Sequence, residues 1–349
     1  MTLTALLLVI AALLIASVAL PFARASHWSV RVFDYPRVQQ LFLLLALLAA
    51  WLLLLGHARM LDRVVLGLLT ACSAYLLYVI MAYTPLGRRM VQRVPPRPGE
   101  KPLTLLVSNV LQTNTDYARL ARLIAERQPD VVLLLETDAA WRDALRPAME
   151  SYPHRVEVPQ PDTYGMLLYS RLPLAASTVG HLVDPEVPSI TADVEYQGQM
   201  VRLYCLHPTP PVPQENDAST DRDAEVLQVG RQAAAHNGPS IVLGDLNDVA
   251  WSRTTRLFLK TSELLDPRRG RGLYSTFHAD YPFLRWPLDH FFVSGHFRLA
   301  AMRVEPSIGS DHFPISLQVL LRHEDESEKL EIDGEEQAEV SEKIAEGGA

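Results

Sequence analysis

Cysteine is almost missing from this chain of 349 residues, which holds two, Cys72 in an apolar run and Cys205 in a predicted strand. A disulfide between such different settings is implausible, so cysteine usage identifies no compartment. There is no His-x-x-x-His pair either, so the donor chemistry that favours zinc is lacking. Positive charge is scarce in the less apolar part of the chain: residues 102–321 carry 19 Lys/Arg against 26 Asp/Glu. That balance excludes the broad basic footprint of a non-specific nucleic-acid binder, and no basic stripe with interleaved aromatics is evident. The first apolar run has no basic segment before it and is longer than a signal-peptide core. No internal repeat is present.

What is present begins with apolar residues. Runs over 3–22, 39–55 and 64–83 are each about long enough to cross a bilayer. Three in succession read as retained membrane helices rather than a buried hairpin, with a cleaved leader as the alternative for the first. Trp28, Phe33 and Tyr35 between the first two runs suit a membrane interface. Residues 1–84 are therefore the expected membrane region. Residues 85–102 carry Arg88, Arg89, Arg93 and Arg97 with prolines at 95, 96, 98 and 102, a basic linker too rich in proline for a helix. It either meets anionic headgroups or is simply solvated. Residues 103–321 read as a soluble domain. Residues 322–349 hold 3 basic against 11 acidic residues and few aromatics, the composition of a disordered tail.

Within the soluble domain, apolar runs repeatedly end in polar side chains. A strand over 103–109 ends at Ser108-Asn109, and another over 130–136 ends at Glu136. Further strands are expected at 166–170, 190–194, 201–206, 288–293, 297–304 and 315–320, and amphipathic helices at 117–127 and 221–236. The strand at 201–206 runs into His207. Ile241-Val242-Leu243-Gly244-Asp245-Leu246-Asn247 reads as a buried strand broken by a glycine turn that leaves two polar side chains at its carboxyl end. Ligands of layered α/β folds gather outside such strand ends. Asn109, Glu136, His207, Asp245, Asn247, Asp289, Asp311 and His312 thus form one candidate set. They offer oxygen donors for Mg²⁺ or Mn²⁺ and histidines for proton transfer. Taken singly, each has a plainer reading: Asn109 a turn residue, Glu136 a paired strand end, and His207 and His312 satisfied core histidines.

The motifs occur in a characteristic order. Ser108-Asn109, then Gln128-Pro129-Asp130-Val131 leading to Glu136, resembles the opening of the endonuclease/exonuclease/phosphatase superfamily. Tyr169-Ser170-Arg171-Leu172-Pro173-Leu174, Leu206-His207, Gly244-Asp245-Leu246-Asn247, Leu288-Asp289-His290-Phe291 and Gly309-Ser310-Asp311-His312 continue the resemblance over about residues 102–321. With three apolar runs ahead of it, the chain resembles a membrane-anchored bacterial branch of that superfamily.

The resemblance implies an α/β fold, a four-layer α-β-β-α sandwich of mainly antiparallel sheets like that of DNase I, here preceded by three transmembrane helices. It implies a metal site at Asn109 and Glu136, with Asp311 near the metal in some members. It places Asp245 and Asn247 beside the attacking water and the phosphate, and His207 on the phosphate. It makes His312, with Asp289 as carboxylate partner, the general base or a phosphate contact. Asp245 is the other candidate base, and His312 is the one favoured at this stage. The implied activity is Mg²⁺-dependent hydrolysis of a phosphoester, nucleic acid or lipid head group, with membrane lipids around it and no obligate protein partner. A non-catalytic scaffold is the alternative, but no site residue is visibly lost. A calcineurin-like two-metal enzyme would need Gly-Asp-x-His and Gly-Asn-His-Glu-type runs, and neither occurs.

Sidedness divides the indications. Arg24, Arg31 and Arg37, with the linker arginines and Lys101, would lie on the face of the hydrolase domain, against Arg59 and Arg63 on the other. By the positive-inside rule that face is cytoplasmic. The resemblance to membrane-anchored relatives points instead to an extracytoplasmic domain in the inner membrane, which is the expectation carried forward.

Overall fold

The computed structural model describes residues 2–57, 59–213, 215–322 and 329–348. Its amino-terminal part is helical: α1 (Leu3–Ala19), a short α2 (Trp28–Arg31), α3 (Arg37–Leu54) and α4 (Met60–Met81). The segments Leu3–Ala23, Arg37–Leu54 and Met60–Met81 are each long and apolar enough to cross a membrane. They pack through Leu44, Trp51, Leu69 and Leu76, all fully buried, while Phe42, Leu53 and Tyr78 project outward and are largely exposed. An apolar helix with an apolar outer surface is what a lipid environment solvates.

Two sheets follow. The first holds β1 (Leu103–Asn109), β2 (Val131–Leu135), β3 (His154–Val158), β4 (Met166–Ser170), β10 (Phe297–Val304) and β11 (Ile315–Leu321), in the order β10-β11-β1-β2-β4-β3. The second holds β5 (Leu174–Gly180), β6 (Ser189–Tyr196), β7 (Gln199–Leu206), β8 (Ser240–Asp245) and β9 (Asp289–Val293), in chain order. Only β1/β2 and β7/β8 pair in parallel. Of these, β1, β2 and β8 are buried along their whole length, which is why they read as largely apolar runs. Leu105, Val107, Leu133, Leu203, Leu243 and Phe291 are among the side chains filling the space between the sheets. Outside the first sheet lie α5 (Tyr117–Arg127) and α6 (Ala139–Leu145), joined to it by Leu120, Ile124 and Trp141. Outside the second lie α7 (Thr220–Ala235) and α8 (Arg253–Ser262), joined by Val226, Leu257 and Phe258. The expected four-layer sandwich is therefore the fold observed.

Strand register sets up the site. Asn109 lies level with Leu135, so Asn109 and Glu136 end neighbouring parallel strands. In the second sheet Leu206 faces Gly244 and Asp245 faces Asp289. His312 precedes β11, the strand paired to β1. Every candidate thus falls at one edge of the paired sheets.

Two expectations need correction. The acidic carboxyl-terminal segment contains a helix, α9 (Gly334–Glu346), whose Val340 is buried against the second sheet's helices. Asp333 caps it by accepting from Glu336 N at 2.9 Å, Lys343 reaches Asp223 at 2.8 Å and Glu336 takes Lys260 at 2.6 Å. Acidic composition concealed an amphipathic pattern whose carboxylates meet Arg253 and Lys260 on α8 and whose Lys343 meets Asp223 on α7. Residues 323–328 of that expected tail lie outside the described residues. The basic linker is not a free spacer either: Met90 and Val91 enter the inter-sheet core, and Val94 N and Gln92 O bond Leu299 of β10. Proline prevents a helix but not an extended segment along an edge strand.

The helices are fastened to the end of the sandwich that carries these candidates. Val79 in the last turn of α4 and Tyr83 just after it share a small core with Val249, Trp251 and Leu288. Trp251 Nε1 donates to Asp34 O at 2.7 Å, and Trp28 N donates to Asp217 O at 2.9 Å.

Candidate active site

The turn after β8 is built around Gly244. Its φ is +141°, and a Cβ there would lie 1.9 Å from Leu206 O, so no other residue fits. The turn leaves Asp245 at the strand end and puts Asn247 in the left-handed region at φ 50°, which asparagine tolerates. Asn247 N donates to Asp245 Oδ1 at 2.9 Å, and Asn247 Nδ2 donates to Pro208 O at 2.9 Å. The asparagine therefore ties the loop after His207 to the loop after Asp245.

The other Asp245 oxygen faces two partners. Asn109 Nδ2 bridges Asp245 Oδ2 at 3.1 Å and Glu136 Oε1 at 2.7 Å. His312 Nε2 lies 3.5 Å from Asp245 Oδ2, and His312 Nδ1 donates to Asp289 Oδ2 at 2.8 Å. Ligand atoms of Asp245, Asp289 and His312 all fall within 4.8 Å of one another. Burial pulls the His312 imidazole toward its neutral form, but the Asp289 and Asp245 carboxylates outweigh it and push its pKa up to about 10. This group is an acid–histidine–acid chain, hydrogen-bonded at Asp289 and ion-paired at Asp245.

Glu136 stands on the far side of Asn109. Burial raises its pKa, against the pull of the nearby His207 and the Asn109 amide. Among the described residues it has no Lys or Arg ion-pair partner. Its charge is left for something else to neutralise. His207 is buried, its ring 5.8 Å from that of Tyr164, and its Nδ1 has no protein partner.

Of the eight candidates, the structure joins Asn109, Glu136, Asp245, Asp289 and His312 directly and seats His207 and Asn247 at their edge. Asp311 stands apart. Its carboxylate lies 3.4 Å from Ser310 Oγ, with no hydrogen bond to Asn109 or Glu136. The reason is that Ser310 makes the tether, its hydroxyl donating to Asn109 O at 2.9 Å and accepting from His312 N at 3.0 Å. The sequence places Ser310 in the Gly309-Ser310-Asp311-His312 motif but points to no role for it.

Three supporting residues were missed. Arg222 Nη1 and the Tyr35 hydroxyl both donate to Asn247 O, at 2.7 and 2.8 Å. His290, buried beside Arg268 and held neutral by that burial and that charge, donates from Nε2 to Asp248 O at 2.8 Å. His290 carried a visible signal as the neighbour of Asp289. Tyr35 and Arg222 carried none, because their contacts depend on the assembled fold.

Comparison with known proteins agrees with this geometry. The family model described as Endonuclease/Exonuclease/phosphatase family matches residues 106–312. Similar solved structures include an endonuclease/exonuclease/phosphatase from Bacteroides vulgatus, at 17% identity and TM-score 0.52 over 64% of this chain and 100% of that one. Another, from Beutenbergia cavernae, has 20% identity and TM-score 0.51 over 64% and 72% of the two chains. A third, a family protein from Bacteroides thetaiotaomicron, has 18% identity and TM-score 0.51 over 63% and 98%. At these identities the likeness is one of fold. A search of curated proteins finds no match.

Proposed function

The chain belongs to the endonuclease/exonuclease/phosphatase family of metal-dependent phosphoester hydrolases, and from that premise we propose that it is a membrane-anchored, Mg²⁺-dependent phosphodiester hydrolase. The observation that carries this reading is the Asp289–His312–Asp245 chain set beside the Asn109–Glu136 pair. The donor set fits a hard cation: the Glu136 carboxylate is buried without a Lys or Arg partner, no thiolate is near, and the Asn109 amide, whose oxygen here accepts from Leu111 N, would offer that oxygen on rotation. Mn²⁺ would be accepted by the same oxygens. Asp311 is left out of that ligand set by its position. When bound, the ion supplies charge neutralisation at the phosphoryl oxygens and lowers the pKa of water.

The protein's own groups do the rest. Asp289 fixes the His312 orientation and supports its charged form by accepting from Nδ1. With Nε2 turned to Asp245, His312 serves as a cationic donor to a phosphoryl oxygen, and Asp245 takes the proton of the attacking water. Local electrostatics thus favour Asp245 over His312 as base. His207, with Nδ1 unclaimed, meets the phosphate from the other side, and Asn247 keeps the two loops at fixed spacing.

The three apolar helices support a multi-pass anchor in the inner membrane. Their arginines support an extracytoplasmic hydrolase domain less poorly than a bare count suggests, because Arg31 and Arg37 both pair with Asp34 in the folded loop. Reporters fused after residue 321 test it: active alkaline phosphatase with a dark cytoplasmic fluorescent protein is expected, and the reverse would place the domain inside. A panel of nucleic acids, phospholipids, phosphoinositides and small phosphodiesters, run with Mg²⁺ and with EDTA, tests the activity. Hydrolysis of at least one member with Mg²⁺ is expected, and none would overturn the reading.

A further inference from the structure

The loop between Thr276 and Leu288 keeps large apolar side chains in the open. Phe283 is 87% exposed, Tyr281 56% and Leu284 48%. The loop is braced in this posture. Arg285 donates to Ala279 O at 2.8 Å and lies over the Phe313 ring, while Thr276 N and Phe277 N both donate to Trp286 O at 3.0 Å. A braced loop with an exposed phenylalanine at its tip is a surface prepared for a partner.

The partner is indicated by where the tip lies. Gln39, in the first turn of α3, donates from Nε2 to Phe283 O at 2.7 Å. One turn further along the same helix, Phe42 is 72% exposed. The tip is therefore continuous with the outward apolar surface of a helix fit to span a bilayer, at the level where that helix begins. Exposed aromatic and apolar side chains at that level are stabilised by the headgroup and acyl boundary.

The other end of the loop reaches the catalytic residues. Phe277 pairs through its backbone with both Trp286 and His312, and its ring is 4.9 Å from that of His312. Trp286 meets Phe277 at 6.1 Å and Tyr35 at 5.9 Å. One aromatic path thus joins the exposed tip to the catalytic histidine.

We infer that the tip formed by Tyr281, Phe283 and Leu284 inserts into the bilayer that the three helices span, and that the substrate is a lipid whose phosphoester head group enters the site from that surface. This rests on the hydrolase reading above. A site held against a bilayer by both its anchor and its own loop meets lipid head groups far more often than soluble esters. A soluble protein or a second copy of the chain covering the tip is the competing outcome.

The test uses the full chain reconstituted in vesicles of phosphatidylcholine, phosphatidylglycerol, phosphatidic acid and sphingomyelin, with bis-p-nitrophenyl phosphate as a soluble ester. With Mg²⁺, head-group hydrolysis is expected, and Phe283→Asp with Leu284→Asp should lower it about tenfold or more while leaving the soluble ester within about twofold. Hydrolysis of the soluble ester without any lipid hydrolysis would overturn the substrate class and leave the hydrolase reading intact. Hydrolysis of neither would overturn the lipid substrate class, and the hydrolase reading with it only where the wider panel above is also left intact. Insertion is read separately with an environment-sensitive fluorophore on Leu284→Cys in a Cys72→Ala chain, Cys205 being fully buried. Quenching by spin-labelled lipids is expected whatever the activity. A probe quenched only by aqueous agents, or shielded by dimerisation without lipid quenching, would overturn the membrane contact.

Discussion

The Tyr35 hydroxyl, in the loop between the first two apolar helices, donates to the main-chain carbonyl of Asn247 at 2.8 Å. A hydrogen bond across 212 residues of sequence therefore ties the anchor to the turn that carries Asp245. Arg222 donates to the same carbonyl and is buried with Asp223 and Asp248. Burial would raise the Asp223 pKa, but Arg222, Lys343 and Arg31 hold it well below the usual carboxylate range.

These two donors should respond differently to removal. Tyr35→Phe leaves the Asn247 carbonyl one donor, so a loss of about 1 kcal/mol in stability is expected. Arg222→Met strips buried carboxylates of a cation and should cost about 3–5 kcal/mol. Denaturant melts of the detergent-solubilised chain compare them, and equal losses would show that Arg222 is not the keystone of this network.

The Asp289–His312 pair should behave as a unit. His312→Ala is expected to lower turnover by about 10²–10³ with the fold retained. Asp289→Asn should lower it by less, and the double variant should be little worse than His312→Ala alone. Turnover of the three variants settles the matter: additive losses would mean that Asp289 does not act through His312.

A pH dependence of stability follows from Glu225 on α7. Its side chain is buried, with Oε1 lacking a hydrogen bond, and burial together with Asp184 and Asp221 pushes its pKa up to about 8. The folded value lies above the unfolded one. Glu225 thus contributes fully at pH values below the ordinary carboxylate range, and that contribution is lost as pH rises through about 8. Glu225→Gln should accordingly gain on the wild type in melting temperature between pH 5 and pH 8 and hold that gain above. A difference that does not change with pH would contradict the assignment.

Much of the site was legible because each chemical residue ends an apolar strand, and a polar side chain at such a place is conspicuous. Gly244 was legible because a sharp turn there tolerates no side chain. The pairing of Asp289 with His312 came from the order of the motifs and not from spacing, since a 23-residue separation alone does not say that the two meet. Asp311, expected near the metal, lies beside Ser310, since adjacency to His312 does not decide which residue of that loop bonds to the Asn109 strand, and Ser310 does. The α9 helix was hidden by acidic composition, its partners lying on helices more than a hundred residues earlier or on α8. Tyr35 was read as an interfacial aromatic, and its second role depends on how the anchor docks.

Metal-dependent turnover by Glu136 and its neighbours is tested most directly by ester hydrolysis of the purified full chain and of Glu136→Gln, each with EDTA, Mg²⁺, Mn²⁺ or Zn²⁺. The wild type should be silent in EDTA and restored by Mg²⁺ or Mn²⁺. The variant should fold normally and stay about 10²–10³ slower at saturating Mg²⁺. Full activity in EDTA, restoration by Zn²⁺ alone, or a Glu136→Gln variant as fast as the wild type would contradict it.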